Sequence, residues 1–333
     1  MSGRFRCAIV GCGGIAQVHA QALSSMEEAD LIAFADIVPQ RAEAMAEKFG
    51  GSSYSSLEEL LDREPIDVLH ICTPHYLHTP MAKEAANRGI KVFTEKPPVT
   101  DRSQWAEFSA LGDRVPVGIC FQNRYNGSTR AMLELVNSGR AGKILGSRGF
   151  VTWRRDAAYY TESGWRGSLA TEGGGALINQ AVHTLDLMAY FLGPGKVLGA
   201  SLANRHLPGV IEVEDTLEAT LDFGEARGLF YATTAYCTDA PVIFELACEK
   251  AVIRLEGELF TCFWQDGRVE REDFTSASTV PGKAYWGSSH QRCIGDFYRC
   301  ALNNEPFQND IPGIKNTVEL MLSVYEAARG KYS

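Results

Sequence analysis

The sequence predicts an α/β protein with an N-terminal, doubly wound parallel sheet, followed by a C-terminal α+β domain carrying a large, mostly antiparallel open sheet. Three observations predict this. Strand and helix patterns alternate through roughly the first third of the chain, and a glycine-rich turn follows the first strand directly. After residue 122 the texture changes to a run of strand patterns with no helix-length segment between them. The change of texture places the domains at 1–122 and 123–333.

In the first domain, short apolar runs at 6–10, 31–35, 67–72, 91–94 and 117–120 read as strands buried on both faces. Helical patterns lie between them. At 39–49, Ala42, Met45, Ala46 and Phe49 share one face, Pro39 suits the first turn and Gly50 the stop. At 80–88, Met81, Ala82, Ala85 and Ala86 are apolar and Gly89 closes the helix. Right-handed crossovers then give a parallel sheet covered on both sides.

In the second domain, a helix at 128–138 and a strand at 144–153 precede an irregular stretch ending at Gly175. One long helix is expected at 176–192. Strand patterns follow at 197–204, 215–223, 228–236, 242–248, 251–255 and 259–264, separated by turn residues such as Asp266-Gly267 and joined as hairpins. Helices at 289–303 and 313–329 close the chain.

Composition narrows the function. The chain of 333 residues is 45% hydrophobic and 22% charged, as in a soluble globular protein of two domains. Its net charge of −9 argues against nucleic acid or an anionic membrane surface as partner. The first residues enter a strand without a signal-peptide pattern, and no apolar run reaches membrane-spanning length. Nine cysteines, an odd number with no Cys-x-x-Cys pair, read as reduced thiols, so a cytoplasmic location is expected.

Gly11-Cys12-Gly13-Gly14-Ile15-Ala16 lies between the first strand and a helix, a G-x-G-x-x-A fingerprint in its proper context. Gly11 permits the tight turn, Gly13 the approach of a pyrophosphate, and Ala16 close helix–sheet packing, while Gly14 and Ile15 open the helix onto the anion. Asp36, at the end of the second strand, is placed to accept from both hydroxyls of an adenosine ribose. Its charge repels a 2′-phosphate, which favours NAD while leaving NADP open. The lesser alternative is that Asp36 merely caps the helix led by Pro39.

Thr94-Glu95-Lys96-Pro97-Pro98 ends the fourth strand, at the edge where doubly wound sheets bind ligands. Two prolines stiffen the backbone around Lys96, which suits a lysine that holds a substrate hydroxyl. A surface lysine in a proline-rich turn has the same spacing, and spacing alone leaves both readings open.

Taken in order, the glycine turn, Ala35-Asp36, Cys72-Thr73-Pro74-His75 with His78, and Glu95-Lys96-Pro97 resemble the glucose–fructose oxidoreductase/inositol dehydrogenase (Gfo/Idh/MocA) family. Residues 173–187, from Gly173-Gly174-Gly175 through Asn179 and His183 to Leu187, resemble that family's entry to its substrate-site helix. The resemblance spans essentially the whole chain. It implies a Rossmann domain, NAD(P), and hydride transfer between nicotinamide and a hydroxyl carbon of a sugar, sugar derivative or polyol. It also implies that Thr73, Pro74, His75, His78, Glu95 and Lys96 border the cofactor, so no metal is expected at the two histidines.

Asn179 and His183 stand i, i+4 on the expected helix, hence on one face, with Asp186 a turn further on. A lone helical histidine is more often structural; the resemblance makes His183 the catalytic base. Many family members carry an aspartate where this chain has Asn179, and an amide cannot share a proton or raise the basicity of a histidine. The implied reaction has His183 taking the hydroxyl proton while Lys96 and Asn179 orient the oxygen. Arg124, Trp165 and Arg166 are candidates to line the substrate site, and Gly173–Gly175 to let backbone approach a ligand. Trp153, Tyr159 and Tyr160 are weaker candidates, and His290 reads best as a cap or surface residue. Two other functions share these features: a non-catalytic NAD(P)-binding regulator, and a redox-neutral NAD-dependent glycoside-cleaving enzyme. An open antiparallel sheet face predicts a homodimer or homotetramer.

Overall fold

A computed structural model describes residues 3–275 and 289–330, and the chain forms two compact units: 1–122 with 289–314, and 123–288 with 315–333. The first begins β1 (Phe5–Val10), α1 (Gly14–Ser24), β2 (Ala29–Ala35), α2 (Pro39–Phe49), β3 (Ser52–Tyr54), α3 (Leu57–Arg63) and β4 (Val68–Ile71). It continues with α4 (His78–Asn87), β5 (Lys91–Thr94), α5 (Arg102–Ser109) and β6 (Val117–Ile119). All strand pairs are parallel, in the order β3-β2-β1-β4-β5-β6. This is the Rossmann order, whose switch point lies beside β1. β4 and β6 are buried along their whole length, as strands covered on both faces must be.

The second unit holds α6 (Gly127–Asn137), β7 (Ile144–Thr152), α7 (Ala157–Thr161), a π-helical turn at Ala176–Ala181 and α8 (Val182–Leu192). Its remaining strands are β8 (Lys196–Ala203), β9 (Thr216–Asp222), β10 (Arg227–Thr233), β11 (Ile243–Cys248), β12 (Ala251–Glu256), β13 (Leu259–Trp264) and β14 (Val269–Asp273). They form one sheet of order β14-β13-β12-β11-β7-β10-β9-β8. The expectation of hairpins throughout fails at one step, because β7 inserts between β10 and β11. Those two strands run in opposite directions, so β7 must be parallel to one of them. It is parallel to β10 and antiparallel to β11. Alternating burial, clearest in β9, leaves one side chain in two away from the core, and Leu145, Leu198 and Leu229 are among the exposed large hydrophobics.

Two helices end the chain, α9 (His290–Asn303) and α10 (Ile311–Arg329). Sequence texture assigns α9 to the second domain, but residues 289–314 belong to the first unit. The cause is aromatic packing: the Phe297 ring lies 5.2 Å from Phe93 and 5.5 Å from Phe307, with Tyr298 stacked on His70. All nine cysteines are free thiols and most are buried. No helix among the described residues is long and apolar enough to cross a membrane.

Candidate active site

In the first unit the candidate residues gather at the carboxyl ends of β1, β2, β4 and β5. Gly11 has φ +85°, and a Cβ there would stand 2.7 Å from the Cys72 carbonyl carbon and 2.8 Å from Thr73 Cγ2. Glycine is therefore required where the β1 turn crosses the end of β4. Gly11→Ala is expected to cost about 1–3 kcal/mol and to weaken dinucleotide binding. Denaturant melts and an NADH fluorescence titration check both effects. Gly13 and Gly14 differ: they are exposed, and a Cβ on either meets nothing within 4 Å. Nothing inside the protein demands glycine there, and no side chain caps α1. The open loop and uncapped helix start fit a dinucleotide pyrophosphate. Ala16 is fully buried against the sheet.

Asp36 does the capping anticipated for it and more. One carboxylate oxygen accepts from Val38 N–H at 2.8 Å, the other from Cys12 N–H at 2.7 Å, which ties the glycine turn to the end of β2. His78 is a strut rather than a cofactor contact. It is fully buried, with Nδ1 2.7 Å from the Pro97 carbonyl and Nε2 2.8 Å from the Thr73 carbonyl, so it braces the two loops that follow β4 and β5. His75 is also buried, whereas Thr73 and Pro74 reach partial exposure.

Lys96 lies two residues past the end of β5, and a cis peptide bond joins it to Pro97. It is the one residue of 92–99 that is not buried. Its N–H donates to Glu95 Oε2 at 3.2 Å. Glu95 in turn ends a buried chain that sequence reading missed. His19 Nε2 lies 3.0 Å from Glu95 Oε1, His19 Nδ1 3.0 Å from His70 Nδ1, and His70 Nε2 3.0 Å from Tyr298 Oη. One set of neutral tautomers satisfies every contact: Tyr298 donates to His70, His70 to His19, and His19 to Glu95. Burial pushes the Glu95 carboxyl up, but His19, His290 and Lys96 outweigh it and hold the group ionised, below its ordinary range. His290 is not a surface residue; it is buried beside His19, and burial lowers its ring to about 4. His19 stands three residues past Ala16, a spacing that could have flagged it.

His19, Glu95 and Cys120 bring potential ligand atoms within 4.8 Å of one another. The hydrogen bonds of His19 to Glu95 and His70, and of Cys120 Sγ to Gln122 Oε1 at 3.8 Å, account for this cluster without an ion.

In the second unit the expected continuous helix at 176–192 is a π turn running into α8. Gly174 and Gly175 serve packing: a Cβ on Gly174 would stand 2.1 Å from Tyr325 Oη, and one on Gly175 2.0 Å from the Glu214 carbonyl oxygen. Buried Glu214 anchors the turn by accepting from Gly175 N–H, Leu177 N–H and Tyr325 O–H at 2.8–3.1 Å. The wider π turn breaks the regular i, i+4 geometry between Asn179 and His183. Both still reach the surface, and they are the only residues of 172–189 that are not buried.

Asn179 Nδ2 donates to Glu172 Oε1 at 2.5 Å, and Gln180 Nε2 donates to Tyr159 Oη at 3.0 Å. Arg166 lies over the rings of Tyr159 and Trp165, at 4.6 and 4.7 Å, so these three stay together near Asn179. Tyr160 and Trp153 are buried and hydrogen-bonded to Thr234 and the Ala240 carbonyl, which makes them structural. Arg124 is a correction. Its side chain is 2% exposed, and Nε and Nη2 donate to the two carboxylate oxygens of Asp186 at 2.9 and 2.5 Å beneath the Tyr190 ring. It is committed to the core rather than offered to a substrate.

The fold and the glycine turn define an NAD-binding Rossmann oxidoreductase, and the chain belongs to the Gfo/Idh/MocA family. Residues 5–117 match that family's NAD-binding Rossmann domain and 129–254 its C-terminal domain. D-glucoside 3-dehydrogenase of Escherichia coli (strain K12) is 29% identical over 258 residues, 71% of this chain and 71% of its own. Glucose-6-phosphate 3-dehydrogenase of Bacillus subtilis (strain 168) is 28% identical, covering 66% of this chain and 63% of its own. Among solved structures, the WlbA dehydrogenase from Bordetella pertussis, in complex with NADH and UDP-GlcNAcA, superposes with a TM-score of 0.84 at 27% identity, covering 98% of this chain and 97% of its own.

Proposed function

We propose that this protein is an NAD-linked dehydrogenase that oxidises, or in reverse reduces, a hydroxyl carbon of a sugar, sugar derivative or polyol. One pattern carries the reading: in two otherwise buried segments, the residues that reach the surface are Lys96 in 92–99 and Asn179 and His183 in 172–189. When bound, NAD supplies the hydride acceptor. His183 takes the proton of the reacting hydroxyl at a ring nitrogen, and a histidine suits that exchange near neutral pH. Lys96 Nζ donates to the same oxygen and stabilises charge developing on it, while Asn179 orients the substrate through an adjoining hydroxyl. Trp165 and Arg166 offer an aromatic face and a guanidinium to a ring substrate. Asp36 accepts from the adenosine ribose and disfavours NADP. The relatives are named D-glucoside 3-dehydrogenase and glucose-6-phosphate 3-dehydrogenase, which supports testing carbohydrates first.

The test is absorbance at the NADH band with methyl D-glucoside, glucose 6-phosphate, myo-inositol, levoglucosan and a UDP-sugar. Net NADH release is the expected result. Product without NADH favours the redox-neutral enzyme, and neither favours a regulator. We further propose that a second copy covers the sheet face carrying Leu198 and Leu229, giving a homodimer or homotetramer. Light scattering that returns a monomer at micromolar concentration contradicts this. Nine unpaired thiols suit a reducing, cytoplasmic setting.

A further inference from the structure

Glu172 sits directly before the three glycines, is fully buried, and lies behind Asn179 rather than at the surface. One of its carboxylate oxygens accepts from Gly167 N–H at 2.5 Å, the other from Asn179 Nδ2 at 2.5 Å. An ionised carboxylate is only an acceptor, so it dictates which end of the Asn179 amide faces it. With the nitrogen held by Glu172 and 3.5 Å from Tyr159 Oη, the carbonyl oxygen of Asn179 is turned away from Glu172, and Asn179, like His183, is partly exposed.

We propose that Glu172 is a positioning residue for the dehydrogenase reaction: its ionised carboxylate fixes the Asn179 side chain with oxygen outward, so that Asn179 meets the substrate as a hydrogen-bond acceptor. This rests on the reading that Asn179 and His183 face the substrate. A protonated Glu172 carries a donor of its own. It can then bond the Asn179 oxygen instead, and the amide turns to present its nitrogen. The acceptor-out arrangement thus belongs to the ionised form.

The surroundings place that switch near neutrality. Burial raises the Glu172 carboxyl to about 7, with Glu214 adding to the rise, against lowering by Gly167 N–H, Asn179 and Arg166. Tyr160 and Tyr325, the tyrosines that face Glu172, stay protonated because burial raises both hydroxyls, and Tyr159 faces the pair through its hydroxyl, 3.5 Å from Asn179 Nδ2. The sign follows: the arrangement is complete above about pH 7 and is lost as pH falls through that value.

The experiment compares wild type, E172Q, E172Q/N179D, K96M and H183A as full-length protein with NAD and whichever of the five sugars above turns over fastest, from pH 5.5 to 9. A glutamine can either accept from or donate to Asn179, so it no longer selects an orientation. E172Q is expected to lower kcat at pH 8 by roughly five- to tenfold, the size of one neutral hydrogen bond. It should also flatten the acid limb by one proton while leaving the KM for NAD unchanged. In E172Q/N179D the glutamine donates to the new carboxylate, which again offers an oxygen outward, and most of the turnover returns. Carbon-13 spectra of labelled glutamate, wild type minus E172Q, should show a carboxyl titrating near pH 7. Thermal melts establish that each variant is folded. An unchanged acid limb and kcat in folded E172Q, or no recovery in the folded double variant, overturns the proposal. If K96M and H183A abolish turnover while E172Q does not change it, this inference alone fails. If K96M and H183A are also fully active, the assignment of the substrate site fails with it.

Discussion

Lys96→Met is expected to lower turnover by about 10²–10³-fold, equivalent to ~2.7–4 kcal/mol of transition-state stabilisation, with dinucleotide affinity nearly unchanged. Methionine keeps the unbranched stem and removes the ammonium, so packing at the end of β5 is preserved while the donor to the reacting oxygen is lost. The features proposed to bind the dinucleotide lie elsewhere in the same unit, in the open Gly13–Gly14 loop and in Asp36. Steady-state kinetics and an NADH fluorescence titration on one preparation separate the two effects. A variant that turns over at the wild-type rate removes Lys96 from the reaction. The buried chain behind it sets the context: Glu95, kept ionised by His19, stands against the Lys96 backbone N–H and holds a negative charge beside the ammonium.

What the sequence made legible was local. The turn at Gly11, the helix from Pro39 to Phe49 and the strand from Lys91 to Thr94 are all specified by neighbours a few residues away, and the structure has them at those bounds. Lys96 and His183 were legible only through family resemblance, since neither spacing distinguishes a catalytic group from a surface one. The residues that escaped detection depend on contacts far along the chain. Glu214 reaches the glycine entry across 37–39 residues, and Tyr325 shapes it from 147 residues beyond Ile178. Local helical periodicity cannot foresee that a tyrosine and a carboxylate will widen the first turn into a π form. The edge strands β3 and β14 were invisible for a different reason: Ser52–Tyr54 and Val269–Asp273 are short and mostly polar, so neither shows an apolar run.

Arg124 was misread for the same reason of distance, because its partner lies 62 residues away. That error defines the second large effect. Arg124 and Asp186 are both buried, and Asp186 Oδ1 also accepts from Thr317 at 2.7 Å. Removing one partner of a buried ion pair leaves the other charge without compensation, at a cost of about 3–5 kcal/mol. Arg124→Met, which keeps most of the stem under the Tyr190 ring, isolates that charge term from packing. A denaturant melt should show a loss of this size in the unit that carries α8. The double variant R124M/D186L removes both charges, and replacement of a buried pair by apolar groups is often near neutral. It should therefore be more stable than R124M alone, with a coupling of about 2–3 kcal/mol in the double-mutant cycle. Additive losses, or an R124M deficit below about 1 kcal/mol, mean that water or another group compensates Asp186 and that the pair does not hold α8 in place. The same variants report on chemistry, since α8 carries His183. A shift of α8 lowers kcat in R124M, and recovery of kcat together with stability in R124M/D186L assigns Arg124 to positioning the helix rather than to contacting the substrate.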